Sequence, residues 1–146
     1  MDLPAGRVVI EMYPDIAPRH VARIRELAAQ GFYDGLAFHR VIDDFVAQGG
    51  DPTGTGTGGS GKTLRPEFSQ TVKHVRGIVS MARAADPDSA DSQFFIMLGD
   101  APYLDGKYTI WGRVIAGMEF VDALKRGQGH ADPDRIVRMR PVAAAR

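Results

Sequence analysis

Cysteine is absent from the whole 146-residue chain. That excludes disulfides, thiolate catalysis and cysteine-ligated zinc. An excess of one charge is missing too: Lys+Arg and Asp+Glu both number 18. No overall field therefore draws nucleic acid or an anionic membrane to this surface. No apolar run is long enough to span a bilayer. The opening MDLPAGR lacks the basic-then-apolar pattern of a leader. These absences predict a cytoplasmic protein with no nucleic-acid and no membrane partner. The histidines His20, His39, His74 and His130 show no ligand spacing and there is no H-E-x-x-H, so no metal is expected. Ser60 and Ser80 lack a nucleophile-elbow context. With no repeat, linker or coiled-coil heptad, the default is a monomer with one domain over residues 1–146.

Short apolar runs separated by glycine-rich turns make up most of the chain. Arg7–Tyr13 reads as a strand that Pro14 ends. Pro18 suits the first turn of a helix, where its missing N–H costs nothing. Val21, Ile24, Leu27 and Ala28 follow at helical spacing, with His20 placed largely off that face, and Gly31 is a candidate helix stop. Leu36–Ile42 and Phe45–Gln48 form a hairpin around Asp43–Asp44. Gly77–Ala82, Gln93–Leu98 and Tyr108–Val114 are further strands. Gly117–Lys125 is a short helix with Phe120, Val121 and Leu124 inward. Arg135–Val142 alternates apolar and basic residues as a closing strand would. Seven strands with no βαβ alternation predict a mostly antiparallel sheet closed into a barrel, with helices over its ends.

The chemistry-bearing feature is Phe38–Asp51, FHRVIDDFVAQGGD. Arg40 and Gln48 sit among residues that suit a buried sheet, and arginine is rarely buried without a partner. One reading pairs Arg40 with Asp43, Asp44 or Asp51. The other makes Arg40 and Gln48 a polar edge beside an apolar pocket, a form that binds small apolar groups and orients them with a few donors. Strand alternation puts Phe38 and Arg40 opposite His39, which reads as a packed or hydrogen-bonded histidine under the sheet. Trp111 reads as core.

Two motifs have weaker context. Gly56–Thr63 matches a phosphate loop formally, and Gly54–Gly59 a dinucleotide pattern. Neither has the strand before it or the helix after it that would aim N–H groups at an anion. Asp86–Asp91 hints at calcium but lacks the sixth-position glycine and the distal glutamate of an EF-hand.

Taken together, FHRVI at 38–42, FVAQGGD at 45–51, GTGG at 56–59, GIVSMA at 77–82, SQFFI at 92–96, YLDGKY at 103–108 and GRVIAGMEFV at 112–121 resemble the cyclophilin-type peptidyl-prolyl cis-trans isomerases. The resemblance covers roughly Gly6 to Lys125. It implies a closed eight-stranded antiparallel β-barrel capped by two α-helices. Only Met1–Leu3 precede Pro4, so the expectation is either a truncated first strand, with a gap or frayed edge on that side of the barrel, or a recorded start that is late. The implied activity is isomerisation of X–Pro bonds in peptides and folding proteins, with no cofactor. Arg40 matches the family's catalytic arginine, and Gln48 the glutamine that bonds the substrate backbone. Phe45, Val46, Phe95, Leu104 and Tyr108 match the proline pocket and its rim. Ala82, Arg83 and Gln93 match the groove for residues preceding proline, Arg83 acting mainly through its backbone. Val46 stands where many members carry methionine and Tyr108 where many carry histidine. Tyr103 stands where cyclosporin-sensitive members carry tryptophan, implying weakened cyclosporin binding. The alternative is a proline-segment binding or chaperone module in the same groove, with incidental turnover.

Overall fold

The computed structural model describes residues 1–129 and 131–142; the His130 of the histidine survey lies outside the described residues. The strands are β1 (Val9–Met12), β2 (Arg40–Ile42), β3 (Val46–Gly49), β4 (Ile78–Met81), β5 (Phe94–Met97), β6 (Ile110–Ala116) and β7 (Gly127–Gln128). The helices are α1 (Pro18–Ala29) and α2 (Met118–Asp122). All described strand pairings are antiparallel, in the order β1-β6-β4-β5-β3-β2-β7.

The expected closed eight-stranded barrel is therefore corrected to one open seven-stranded sheet with two helices. Pro4 has no N–H to offer a ladder. Leu3 and Gly6 instead bond each other across a turn. Asp2 makes single bridges to Arg7 and Arg138, and Ala37 to Arg135, so isolated pairs stand on this side of the sheet where a strand was expected. The expected strand Arg135–Val142 is likewise irregular. Its buried residues, Ile136 and Met139, are three apart rather than two. The seventh strand is the two-residue β7, which had no signal in the sequence.

Helix α1 buries Val21, Ile24, Leu27 and Ala28 as the spacing predicts, and also His20, which does not fit that reading. Its N-terminus is capped from a distance. Glu67 accepts from the N–H of Arg19 (3.2 Å) and of His20 (2.8 Å), and bonds His20 Nδ1 at 2.6 Å. Gly31 ends the helix at φ 77°, where a side chain would be strained. One core, including Trp111, Phe94, Tyr33 and Ile24, lies between α1 and the sheet. A smaller cluster of Val46, Ile78, Ala82, Phe95, Met97, Ala101, Leu104 and Ile110 lies beneath the pocket described next. Among the described residues, no helix is long and apolar enough to cross a membrane.

Candidate functional site

The β2–β3 hairpin sets the site. Its register puts Arg40 opposite Gln48, Val41 opposite Ala47 and Ile42 opposite Val46. Asp44 turns the chain at φ 58°, a region that Asp tolerates better than most residues. The Arg40 guanidinium donates from Nη1 to Gln48 Oε1 at 3.3 Å and lies 5.7 Å from the centre of the Phe45 ring. Of the three carboxylates that could have claimed it, Asp43 pairs with Arg126 and Asp51 bonds its own loop, and no described ion pair joins Asp44 to it. Gln48 Nε2 donates to Gln93 Oε1 at 3.2 Å, and Gln93 Nε2 to the Gly58 carbonyl at 3.0 Å. This amide relay aims the Gln48 oxygen at Arg40 and leaves the guanidinium charge without a described carboxylate partner.

Beside this polar edge is a cavity of about 350 Å³. Phe45, Val46, Phe95, Leu104 and Tyr108 line its apolar part, with Ala82 and Arg83 at one side. Phe95 and Tyr108 meet edge-on at 5.7 Å. Among the described residues, no acidic one lines it. Two residues expected here lie off its lining. Gln93 instead bonds Gln48. Tyr103 is 62% exposed outside the cavity and stacks on Phe45 at 6.2 Å.

Five lining residues were not anticipated: His39, Thr55, Gly56, Thr57 and Gln128. Gln128 enters because β7 pairs Arg40 with it, a juxtaposition that a two-residue strand does not announce. The alternation predicted for 38–40 fails because regular strand begins only at Arg40. Phe38 packs into the main core, while His39 joins Arg40 at the cavity. Burial, outweighing nearby Asp51, holds the His39 pKa below its usual value, as does adjacent Arg40.

The glycine loop is ordered by carboxylates. Asp51, 1% exposed, accepts from Thr53 N (2.8 Å), Thr53 Oγ1 (2.8 Å), Gly56 N (2.6 Å) and Gly58 N (3.1 Å). Burial alone would raise the Asp51 pKa; these bonds outweigh it and hold it at about 2. Asp91 takes Ser60 N and Gly61 N. The N–H groups of Gly56, Gly58, Ser60 and Gly61 are thus already taken by fixed negative charge, and no helix directly follows the loop. The Asp86–Asp91 segment contains a single 3-10 turn, with Asp86 accepting from Asp88 N. No cluster of potential metal ligands forms among the described residues.

Comparison with known proteins agrees on one family. The family model described as cyclophilin type peptidyl-prolyl cis-trans isomerase/CLD matches residues 1–143. The chain is similar to peptidyl-prolyl cis-trans isomerase B of Bacillus subtilis, at 47% identity over 84% of this chain and 85% of that protein. It is 50% identical to peptidyl-prolyl cis-trans isomerase-like 1 of Rhizopus delemar, over 83% of this chain and 75% of that one. A Cryptosporidium parvum cyclophilin-type isomerase, crystallised in the presence of the dipeptide Ala-Pro, superposes with a TM-score of 0.88. It is 33% identical, over 97% of this chain and 96% of that one.

Proposed function

Because the chain belongs to the cyclophilin-type peptidyl-prolyl cis-trans isomerases and has that activity, we propose that Arg40 drives the reaction by bonding the twisted prolyl nitrogen. The supporting observation is a guanidinium directed by Gln48, without a described carboxylate partner, at the edge of a cavity one part of which is lined by Phe45, Val46, Phe95, Leu104 and Tyr108.

An X–Pro bond isomerises over a barrier of about 18–20 kcal/mol because rotation breaks amide resonance. Uncatalysed, it takes tens to hundreds of seconds. Reaching milliseconds means lowering the barrier by roughly 6–7 kcal/mol, at about 1.36 per decade. As the bond twists, the prolyl nitrogen becomes pyramidal and gains a localised lone pair. It accepts a hydrogen bond well only near the transition state. A donor fixed beside it therefore binds that state better than the planar amide. Phe45, Val46, Phe95, Leu104 and Tyr108 would grip the ring. Gln48 and the main chain at Ala82–Arg83 would hold the preceding residue, leaving its carbonyl free to swing. No covalent intermediate forms.

The substrates on this reading are proline-containing peptides and protein clients, met by a cytoplasmic monomer. An Ala-Pro dipeptide accompanies the Cryptosporidium relative, which supports the substrate class. Cyclosporin binding is weakened because exposed Tyr103 offers no indole N–H. Tyr103→Trp should tighten it, and unchanged affinity in a titration would reject that cause.

Exchange NMR of an Ala-Pro peptide with catalytic amounts of wild type and of Arg40→Ala tests the mechanism. Wild-type enhancement should vanish in the folded variant while peptide shifts still report binding. Wild-type turnover in folded Arg40→Ala would refute the role of Arg40. Binding without enhancement by wild type would leave a recognition module.

A further inference from the structure

Arg83 joins two segments that flank the cavity. Its Nε and Nη2 donate to the Lys107 carbonyl at 3.1 and 2.8 Å. Its Nη1 donates to the Ala84 and Ala85 carbonyls at 2.9 and 3.3 Å. One segment leaves β4 and the other runs into β6. The same guanidinium lies 4.7 Å from the centre of the Tyr108 ring. That ring also meets Phe95 edge-on at 5.7 Å and His74 at 6.4 Å. Tyr108 is therefore held by a cation as well as by aromatic neighbours.

We propose that Arg83 is a positioning residue of the proline pocket: its side chain braces the Ala84–Ala85 and Lys107–Tyr108 segments and fixes Tyr108 as a rigid wall. The proposal rests on the reading of this cavity as the isomerase site, and it gives the Arg83 side chain a role beyond that of its backbone. Four donor contacts reach three carbonyls, a task suited to a planar fork. A lysine ammonium, a point donor on a flexible stem, cannot hold both segments in one plane. A wall fixed in advance spares the ordering cost at binding. Arg40, not Tyr108, faces the developing lone pair, so the brace acts on affinity rather than on the twisting step.

The test uses the full chain and an Ala-Pro peptide, measuring KM, kcat and peptide affinity separately. Arg83→Ala and Arg83→Met should each raise KM about three- to tenfold, with kcat within about twofold of wild type. The methionine variant keeps the stem and guards against collapse in the alanine one. Arg83→Lys should recover part of the loss through its retained charge over the ring. In a Tyr108→Ala background, Arg83→Ala should cost nothing further. An unchanged KM in a folded variant would overturn the proposal. So would an equal added loss in the Tyr108→Ala background, because Arg83 would then act independently of the ring. Peptide affinity reads this coupling even if wild type shows no turnover, so failure of the brace and failure of the isomerase mechanism remain distinguishable.

Discussion

Arg40 and Gln48 face each other across the β2–β3 hairpin, joined by a 3.3 Å bond from the Arg40 Nη1 to the Gln48 Oε1. The bond is long and its acceptor neutral. It orients the guanidinium without neutralising it. A carboxylate in the same place would do both, forming a charge-assisted pair that competes with the prolyl nitrogen for the same donors. Gln48→Glu is therefore expected to lower kcat about a hundredfold or more at neutral pH, a greater loss than Gln48→Ala, which frees the guanidinium and removes one substrate contact but neutralises no charge. Single-turnover or exchange kinetics on the two folded variants would check this ranking. Equal losses would mean that Gln48 matters only as a substrate contact.

Buried imidazoles set the acid side of stability. Burial lowers the pKa of His20, His39 and His74, although Glu67, Asp51 and Asp105 respectively pull the other way. His74 is 1% exposed, bonded from Nδ1 to Asp105 at 3.0 Å and from Nε2 to Ser80 Oγ at 2.9 Å. In the unfolded chain these rings take up protons near about pH 6.5. In the folded chain their pKa values lie lower. Between the two values the unfolded state binds more protons, so stability rises with pH through that window and is lost as pH falls through it. Thermal melts should show Tm dropping by several degrees between about pH 7.5 and 5.5, at roughly 2–4 °C per kcal/mol for a domain of this size. His74→Phe, which keeps a ring against Phe95, should start less stable at neutral pH yet show a shallower slope. A wild-type Tm flat over that range would contradict the neutral-imidazole account.

Local pattern carried much of this architecture, and non-local pairing carried the rest. The β2–β3 hairpin was legible because two apolar runs flank Asp43–Asp44, and its register then brings Arg40 and Gln48 together. Helix α1 was legible from the spacing of Val21, Ile24 and Leu27. Its cap was not, because Glu67 lies 47 residues from His20 and buries that histidine from outside the helix. The same holds for Gln128, which reaches the cavity through a two-residue strand. Closure was misread because alternation at 135–142 resembles a strand. A ladder also needs a continuous partner, and beside this segment Asp2 and Ala37 provide only isolated bridges. Motif order identified the family. It could not reveal that the Arg83 side chain would turn back onto Tyr108.

The 53–58 part of the glycine loop depends on one carboxylate, and through it the amide relay depends on Asp51. Gly58 supplies both an N–H to Asp51 and the carbonyl that receives Gln93. Asp51→Ala would strand the N–H groups of Thr53, Gly56 and Gly58, at a cost of about 3 kcal/mol, since bonds to a buried charge are the stronger kind. It should also loosen Gln93, and through it Gln48, so weaker peptide binding is expected to accompany the lower Tm. Asp51→Asn, which keeps the shape but loses the charge, should fall between. The Asp51 pKa is depressed to about 2 in the fold. Its contribution is thus fully present above the unfolded value of about 4 and is lost as pH falls from there through about 2. Amide hydrogen exchange gives the direct reading: Gly56 and Gly58 should be protected in wild type and exchange freely in Asp51→Ala. Protection that survives the substitution would show that the loop is held by its turns, and that the relay to Arg40 does not begin at Asp51.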